Sequence, residues 1–434
     1  MTRPSTIAIP MDDDVRATLS SALAQLLEGP ARALVVVTMV ASAVVFTEPA
    51  PVDLLMLLLF VALPLARLIT ITRPLAAFTA LCLVPVATAF LGTLYAIDVP
   101  PALTHTAVTA FLAGGSLLIA AFVMNAPERH TRLILNAYTG AAIIAAIAGI
   151  IGYFNILPGA GEIFTRYSRA TGTFKDPNVF GPFLIAPFVY LLHRLLTPTQ
   201  RFKSILAAAA LLLAFGVLLS FSRGAWFCLA VATMAFALFS FITAPSAHER
   251  TRIALVAIGA VMAATIFLAI AMQFDAISDL MAHRASLSQG YDEGPEGRFG
   301  GQQKAKALIL ANPLGIGAQQ FGVFFHSEEA HNVYLSIFLN AGWIGGLAFI
   351  AIFAFTAIFG FNHALRRSAI QPLFLVVYVV FLAHALEGFI IDLDHWRHLH
   401  LLIGLVWGLM LAPELTSNYI ERSIRLARTL RAAR

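Results

Sequence analysis

Apolar runs about twenty residues long, separated by short polar turns, recur from residue 31 to residue 413. A bilayer helix needs roughly 20 consecutive apolar residues. The pattern therefore predicts spanning helices at about 31–47, 52–70, 74–96, 101–124, 133–154, 179–196, 204–221, 225–243, 253–272, 332–360, 370–391 and 398–413. Of the polar intervals between them, that at about 273–331 is long enough to form a soluble element of its own. Ahead of the first run, Val15, Leu19, Ala22 and Leu26 recur at helical spacing and meet Gly29-Pro30. That stripe predicts a short surface helix ending at the Gly-Pro pair. The first 30 residues are otherwise polar, with an acidic Asp12-Asp13-Asp14 run where a basic, then apolar, leader would differ. No cleavable signal peptide is expected.

Composition agrees with a chain built for lipid. Of the 434 residues 59% are hydrophobic and 12% charged, about half the charged share of a soluble domain, and mean hydropathy is +0.83. The isoelectric point near 9.4 points to anionic headgroups or anionic substrates. Nucleic acid is excluded as a partner, because no basic stretch is interleaved with aromatics. Cys82 and Cys228 both fall inside apolar runs and read as small buried hydrophobes, not as a disulfide or a metal pair.

The distribution of charge orients the chain. With a cytoplasmic N-terminus, 19 of the 28 Lys and Arg residues fall in the inner segments and every inner loop carries some, as the positive-inside rule requires. An even number of spans then leaves both termini in the cytoplasm. The tail, with Arg422, Arg425, Arg428, Arg431 and Arg434, reads either as a basic helix on anionic lipid or as a solvated helix end. The outer basic residues are Arg166, Arg169, Lys175, Arg223, Arg284, Arg298, Lys304, Lys306 and Arg397. Several sit at helix mouths beside Gly, Ser or Asn, where a cation costs less if an anion shares the site. A phosphate-bearing substrate would meet that need.

Candidate chemistry gathers on this outer side. The turn-rich segment from Arg166 to Asn178 carries Arg166, Arg169 and Lys175, which either hold phosphate or sugar hydroxyls or close the helix bundle, with Asp176 pairing Arg169. In Ser222-Arg223-Gly224 an arginine is pinned between two helix ends, where it offers a fixed bidentate fork or snorkels to the interface. Arg298 follows Gly297 at the start of a helical stretch over about 301–311, a position where a cation opposes the helix dipole unless an anion lies beside it. Gly315-Ile316-Gly317 has no strand and third glycine to frame a dinucleotide loop and predicts a sharp turn back to the membrane. His331-Asn332 precedes the tenth run. There the histidine serves as a general base or the pair merely caps the helix.

These residues resemble the O-antigen ligases and the related Wzy-type O-antigen polymerases. The carrying pattern is His331-Asn332, nine residues, Gly342, two residues and Gly345. Arg169…Gly172-Thr173-Phe174…Pro177-Asn178, Ser222-Arg223-Gly224, Gly297-Arg298 and Gly315-Ile316-Gly317 follow the same family in order and spacing, over roughly 130–400. The resemblance implies an all-α polytopic membrane protein of about 12 transmembrane helices with one large periplasmic loop, similar to the C-type membrane glycosyltransferases. The expected division is a cytoplasmic segment over 1–30, helices 1–9 over 31–272, the periplasmic loop over 273–331, helices 10–12 over 332–413 and a basic cytoplasmic tail over 414–434. It implies an inner-membrane glycosyltransferase that takes a glycan from undecaprenyl diphosphate at the periplasmic face. The acceptor would be a lipid A core sugar, or a second lipid-linked repeat unit in a polymerase. No cofactor and no metal are expected. By the same resemblance His331, Arg223 and Arg298 would be catalytic, and Arg166, Arg169, Lys175, Asn178, Asn332 and Asp392 would bind substrate. Two other classes stay open. His384 and Glu387 share one face of the eleventh run, as a proton path in a secondary transporter would require, although no inverted repeat accompanies them. A structural scaffold of the envelope would not require Arg223, Arg298 and His331 together.

Overall fold

Each predicted run is helical in the computed structural model, which describes residues 13–197, 200–273, 278, 294–295 and 297–412. The helices are α1 (Asp13–Ala41), α2 (Pro51–Leu65), α3 (Arg73–Gly92), α4 (Val99–Asn125), α5 (Pro127–Tyr153), α6 (Ala160–Phe164), α7 (Pro177–Phe183), α8 (Ile185–Leu196), α9 (Lys203–Leu219) and α10 (Arg223–Thr243). They continue with α11 (Ala247–Ala271), α12 (Arg298–Ala311), α13 (Val333–Leu365), α14 (Gln371–Glu387) and α15 (Arg397–Leu411). A two-residue antiparallel ladder, β1 (Thr165–Arg166) with β2 (Arg169–Ala170), lies between α6 and α7. Among the described residues seven stretches are long and apolar enough to cross a membrane: α1 from Ala22, α3 with its turn to Tyr95, α4, α5, α7 with α8, α10 and α13. The apolar helices α2, α9, α14 and α15 are shorter. Arg284 and the expected basic tail lie outside the described residues.

The surface helix expected to stop at Gly29-Pro30 does not stop. It is the first part of α1, which carries Pro30 inside it and runs on to Ala41. An internal proline gives up one backbone hydrogen bond, and here an ion pair between Glu28 and Arg32, four residues apart, spans the position.

Apolar on all sides, α14 belongs in a core, and it is buried without interruption from Leu373 to Phe381. Around it pack α8, α10, α13 and α15, while α15 also lies along α4 and α13 along α3. Small residues permit the close crossings, as is usual where lipid removes the hydrophobic drive between helices. A Cβ on Gly404 would lie 2.6 Å from the Ser116 carbonyl of α4, and one on Gly408 would lie 2.9 Å from that of Ala120.

The turns sort to two ends of this bundle. At one end Val45 meets Thr173, Lys175 meets Glu48, Asp98 meets Gln320, Arg169 meets Ser220 and Asn332 meets Asp392. At the other, Thr70 meets Ala121 and Asn125, Arg129 meets Glu28, and Arg367 meets Thr243. The first group holds turns expected outside and the second turns expected inside. The first is called the site end below.

At Gly342 the helix α13 breaks (φ 67°, ψ −170°), a backbone region open essentially to glycine alone. The Leu339 carbonyl, which would accept the Trp343 N–H in a regular helix, instead accepts Ile316 N–H at 2.7 Å, and Trp343 N–H goes to the Pro313 carbonyl at 2.8 Å. Gly315 and Gly317, both at positive φ, make the sharp turn that brings residues 313–316 there. A Cβ on Gly342 would lie 2.5 Å from the Pro313 oxygen. Gly342→Ala is expected to cost about 2 kcal/mol or more, read as a lowered melting temperature of the detergent-purified protein. An unchanged melting temperature would contradict the interlock.

Candidate active site

The site end is organised around the last turn of α14. Ser222 caps α10 by accepting the Ala225 N–H, which fixes Arg223 as the first residue of that helix, half-buried. Gly224 faces the Glu387 carboxylate so closely that a Cβ there would lie 2.5 Å from Oε1. One residue further on α14, the Gly388 carbonyl accepts the Val333 N–H at 2.9 Å, and Tyr334 donates its hydroxyl to the Ala385 carbonyl at 2.6 Å. The Arg223 turn and the start of α13 therefore flank the same helix end, although they are more than 100 positions apart in sequence.

His331 stands immediately before that start. Its φ of 47° is left-handed, an uncommon state for a non-glycine residue and one that histidine tolerates better than most. The residues after it hold it there. Asn332 gives its N–H to Asp392 Oδ1 at 3.2 Å and its side-chain amide N–H to the Phe389 carbonyl at 3.1 Å. Its side-chain oxygen accepts the N–H groups of Tyr334 and Leu335 as the cap of α13. Asn332 is thus fully engaged within the fold. The imidazole Nε2 of His331 lies 3.1 Å from Glu328 Oε2, with the ring partly exposed at the surface.

Arg298 opens α12, as its sequence position predicts, and is half-buried. A Cβ on Gly301, one turn along, would lie 2.9 Å from the His326 ring. Trp343 of α13 gives its indole N–H to the Ile309 carbonyl at 2.8 Å. The helix that begins at Arg298 is thereby packed on the segment leading into His331 and on α13 itself.

The loop cations divide. Arg169 is buried and donates to the Ser220 carbonyl at 2.7 Å and to the Asn178 side-chain oxygen at 2.7 Å. It ties the β1–β2 loop to the turn that presents Arg223. Asp176 caps α7 by accepting the Asn178 N–H at 2.8 Å. Arg166 is exposed, bonded to the Lys175 carbonyl and lying over the Tyr167 ring. Lys175 reaches Glu48, which also faces Arg397, and Arg397 holds Asp53 with both arms at 2.7 and 2.8 Å. Arg166 and Lys175 belong to this surface network.

Asp392, expected to bind substrate, is turned inward to support the site, a contact sequence reasoning did not foresee. Asp392 Oδ1 accepts from Ser336 as well as from Asn332. Burial and the neighbouring Asp394 charge push the Asp392 carboxyl above the usual range, and burial with the Asp392 charge does the same to Glu329. Burial alone would raise Asp394 also, but the His105 bond and the His395 charge outweigh it and hold that carboxyl well below the usual range. Burial brings His395 down to about 4. A carboxyl with a raised folded-state pKa contributes stability that is fully present below its unfolded value and is lost as pH rises through the folded value. Asp392→Asn, which keeps an acceptor for Asn332 and Ser336, should raise the melting temperature at about pH 8 and lose that advantage as pH falls towards 4. An equal difference at both pH values would contradict it.

Among the described residues two groups could hold a metal ion by donor type and spacing: His105, Asp394 and His395, and Cys228, His384 and Glu387. In the first, the two imidazoles stack with centroids 3.8 Å apart and planes 18° apart. Their in-plane lone pairs run nearly parallel and do not converge on a point. Thr109 and Gln319 occupy other nitrogens of that pair, so this cluster is poorly set to hold an ion. Sequence spacing places Asp394 beside His395 but gives no sign of His105.

A bundle of apolar helices with cations and a partly exposed histidine at one end defines a multi-pass membrane protein with a polar site at the mouth of its helices. Residues 208–350, from within α9 into α13, match the family model described as O-antigen ligase, a match that supports membership of the O-antigen ligase and Wzy-type polymerase superfamily. It contains Arg223, Arg298, His331 and Asn332. No curated protein matches the chain.

Proposed function

We propose that the protein is an O-antigen ligase-type glycosyltransferase of the bacterial inner membrane, with both termini cytoplasmic and its site at the periplasmic face. The donor is a glycan on undecaprenyl diphosphate and the acceptor is a sugar of the lipid A core. The observation that carries this reading is the meeting of the Arg223 turn and the His331-Asn332 cap at one end of α14, inside the stretch that matches the family. In the reaction an acceptor hydroxyl oxygen attacks the anomeric carbon, and the bond from that carbon to the phosphate oxygen breaks with inversion. The electron pair leaves with undecaprenyl diphosphate. His331 takes the hydroxyl proton, with Glu328 at 3.1 Å orienting its ring. Arg223 and Arg298 bind the diphosphate and meet the charge that develops on it. Asn332 and Asp392 hold the His331 backbone in its left-handed turn, and Arg169 with Asn178 holds the Arg223 turn, so these four act as positioning residues. Arg166 and Lys175 contact the glycan or headgroups further out.

The test is transfer by the purified protein in lipid nanodiscs, given undecaprenyl-diphosphate glycan and a lipid A core acceptor. Release of undecaprenyl diphosphate with glycosylated core supports the ligase reading. Lengthening of the lipid-linked glycan with no core modification would replace it with the polymerase reading, which the same family description accommodates. Solute uptake into proteoliposomes that survives His331→Ala would overturn both in favour of a transporter.

A further inference from the structure

Beneath the Arg223 turn lies a second cluster that glycan transfer does not use. Cys228 stands in the second turn of α10, and His384 and Glu387 lie one turn apart on α14. All three are buried, at 0%, 0% and 1% exposure. Their donor atoms lie within 4.8 Å of one another. The Cys228 thiol sits 3.1 Å from Glu387 Oε2 and 3.2 Å from the Ala383 carbonyl.

The histidine is set as a ligand would be. Its Nδ1 lies 2.9 Å from the Val380 carbonyl. A carbonyl only accepts, so Nδ1 carries the proton and the neutral ring presents a bare lone pair at Nε2. That Nε2 is buried and has no hydrogen-bond partner. A ring fixed through one nitrogen by a backbone carbonyl, with the other turned to a ligand position, is the usual support of a metal-bound histidine. Beside it, with centroids 5.3 Å apart, stands His398, whose Nε2 is likewise buried and without a partner. Buried polar atoms are nearly always satisfied, so two unpartnered imidazole nitrogens side by side in an apolar bundle call for a shared explanation.

We propose that Cys228, His384 and Glu387 bind one zinc ion at the site end of the bundle, with a fourth position left to water or to His398. Thiolate, imidazole and carboxylate are the zinc donors of proteins, and a thiolate with imidazole favours a borderline-soft ion over magnesium or calcium. The charges decide for a divalent ion: one thiolate and one carboxylate against two positive charges sum to zero, the least costly state for a buried site. On binding, the Cys228 sulfur–hydrogen bond breaks, the proton goes to solvent and the sulfur electron pair goes to zinc. Entry is short, because Glu387 is the last residue of α14 and lies against Gly224 in the turn. The ion would clamp α10 to α14 directly behind Arg223. It takes no part in the glycosyl transfer proposed above, and the inference does not rest on that reading.

The experiment is metal content. Full-length protein in detergent is loaded with zinc chloride, desalted and measured by plasma mass spectrometry, without reference to activity. The expected result is about one zinc per chain, falling to background in Cys228→Ala and in His384→Ala and unchanged in Cys82→Ala. Cobalt chloride should give the near-ultraviolet thiolate-to-cobalt band in the wild-type protein. That measurement decides the matter if the variants fail to fold. Wild-type protein that holds zinc only at background, or that takes up cobalt without the thiolate band, overturns the proposal, as does zinc retained by both variants.

Discussion

Replacing Arg223 by alanine is expected to lower glycan transfer by about 10²–10³-fold, the usual loss when one preorganised donor to a developing negative charge is removed. The size follows from where the residue sits. Ser222 keeps its cap on α10 whether or not the next side chain is present, so the backbone that presents position 223 survives the substitution. What goes is the guanidinium at the mouth of the bundle. Release of undecaprenyl diphosphate in nanodiscs measures the loss, and the melting temperature shows that the variant is folded. Turnover within tenfold of wild type would remove the diphosphate role. Arg223→Lys separates charge from geometry, since an ammonium keeps the charge but not the two-armed fork. It should recover only part of the rate. Arg298→Ala is expected to act in the same direction from the start of α12.

His331→Ala is expected to cost about 10²–10⁴-fold, the range for a positioned general base. Alanine, however, also removes a residue that tolerates left-handed backbone, so a loss could be conformational. His331→Asn resolves this, because asparagine accepts positive φ readily and cannot take the proton. A loss in His331→Asn equal to that in His331→Ala supports base chemistry. Near-normal turnover in His331→Asn would make the residue a backbone device and return the proton to another group.

The helical layout was legible because lipid leaves one strong signal, a run of apolar residues of fixed length, and because charge marks the turns. That signal weakened where propensity gave way to tertiary packing. At Gly29-Pro30 a local stop signal was overridden, and α1 continued through it. The Ser222-Arg223-Gly224 turn and the His331-Asn332 cap were legible as short local patterns. The contacts that support them were not. Asp392 lies 60 residues from Asn332, and His105 lies 289 residues from Asp394. Periodicity carries no information on contacts of that kind. Cys228 shows the limit best. An apolar run around a cysteine reads as a hydrophobe in a core, and only the packing of α10 on α14 brings its sulfur to Glu387 and His384.

The exchange of hydrogen bonds at Gly342 has a mechanical meaning. Ile316 and Trp343 have traded partners, so the strand of backbone at 313–316 is stitched into α13 from outside. The N-terminal half of α13 cannot straighten or rotate unless both stitches open at once. On the amide-exchange timescale, the Ile316 and Trp343 N–H groups should then be protected together and released together, as one cooperative unit. Opening at this end would have to come from another part of the bundle, because this corner behaves as a fixed post and not as a gate.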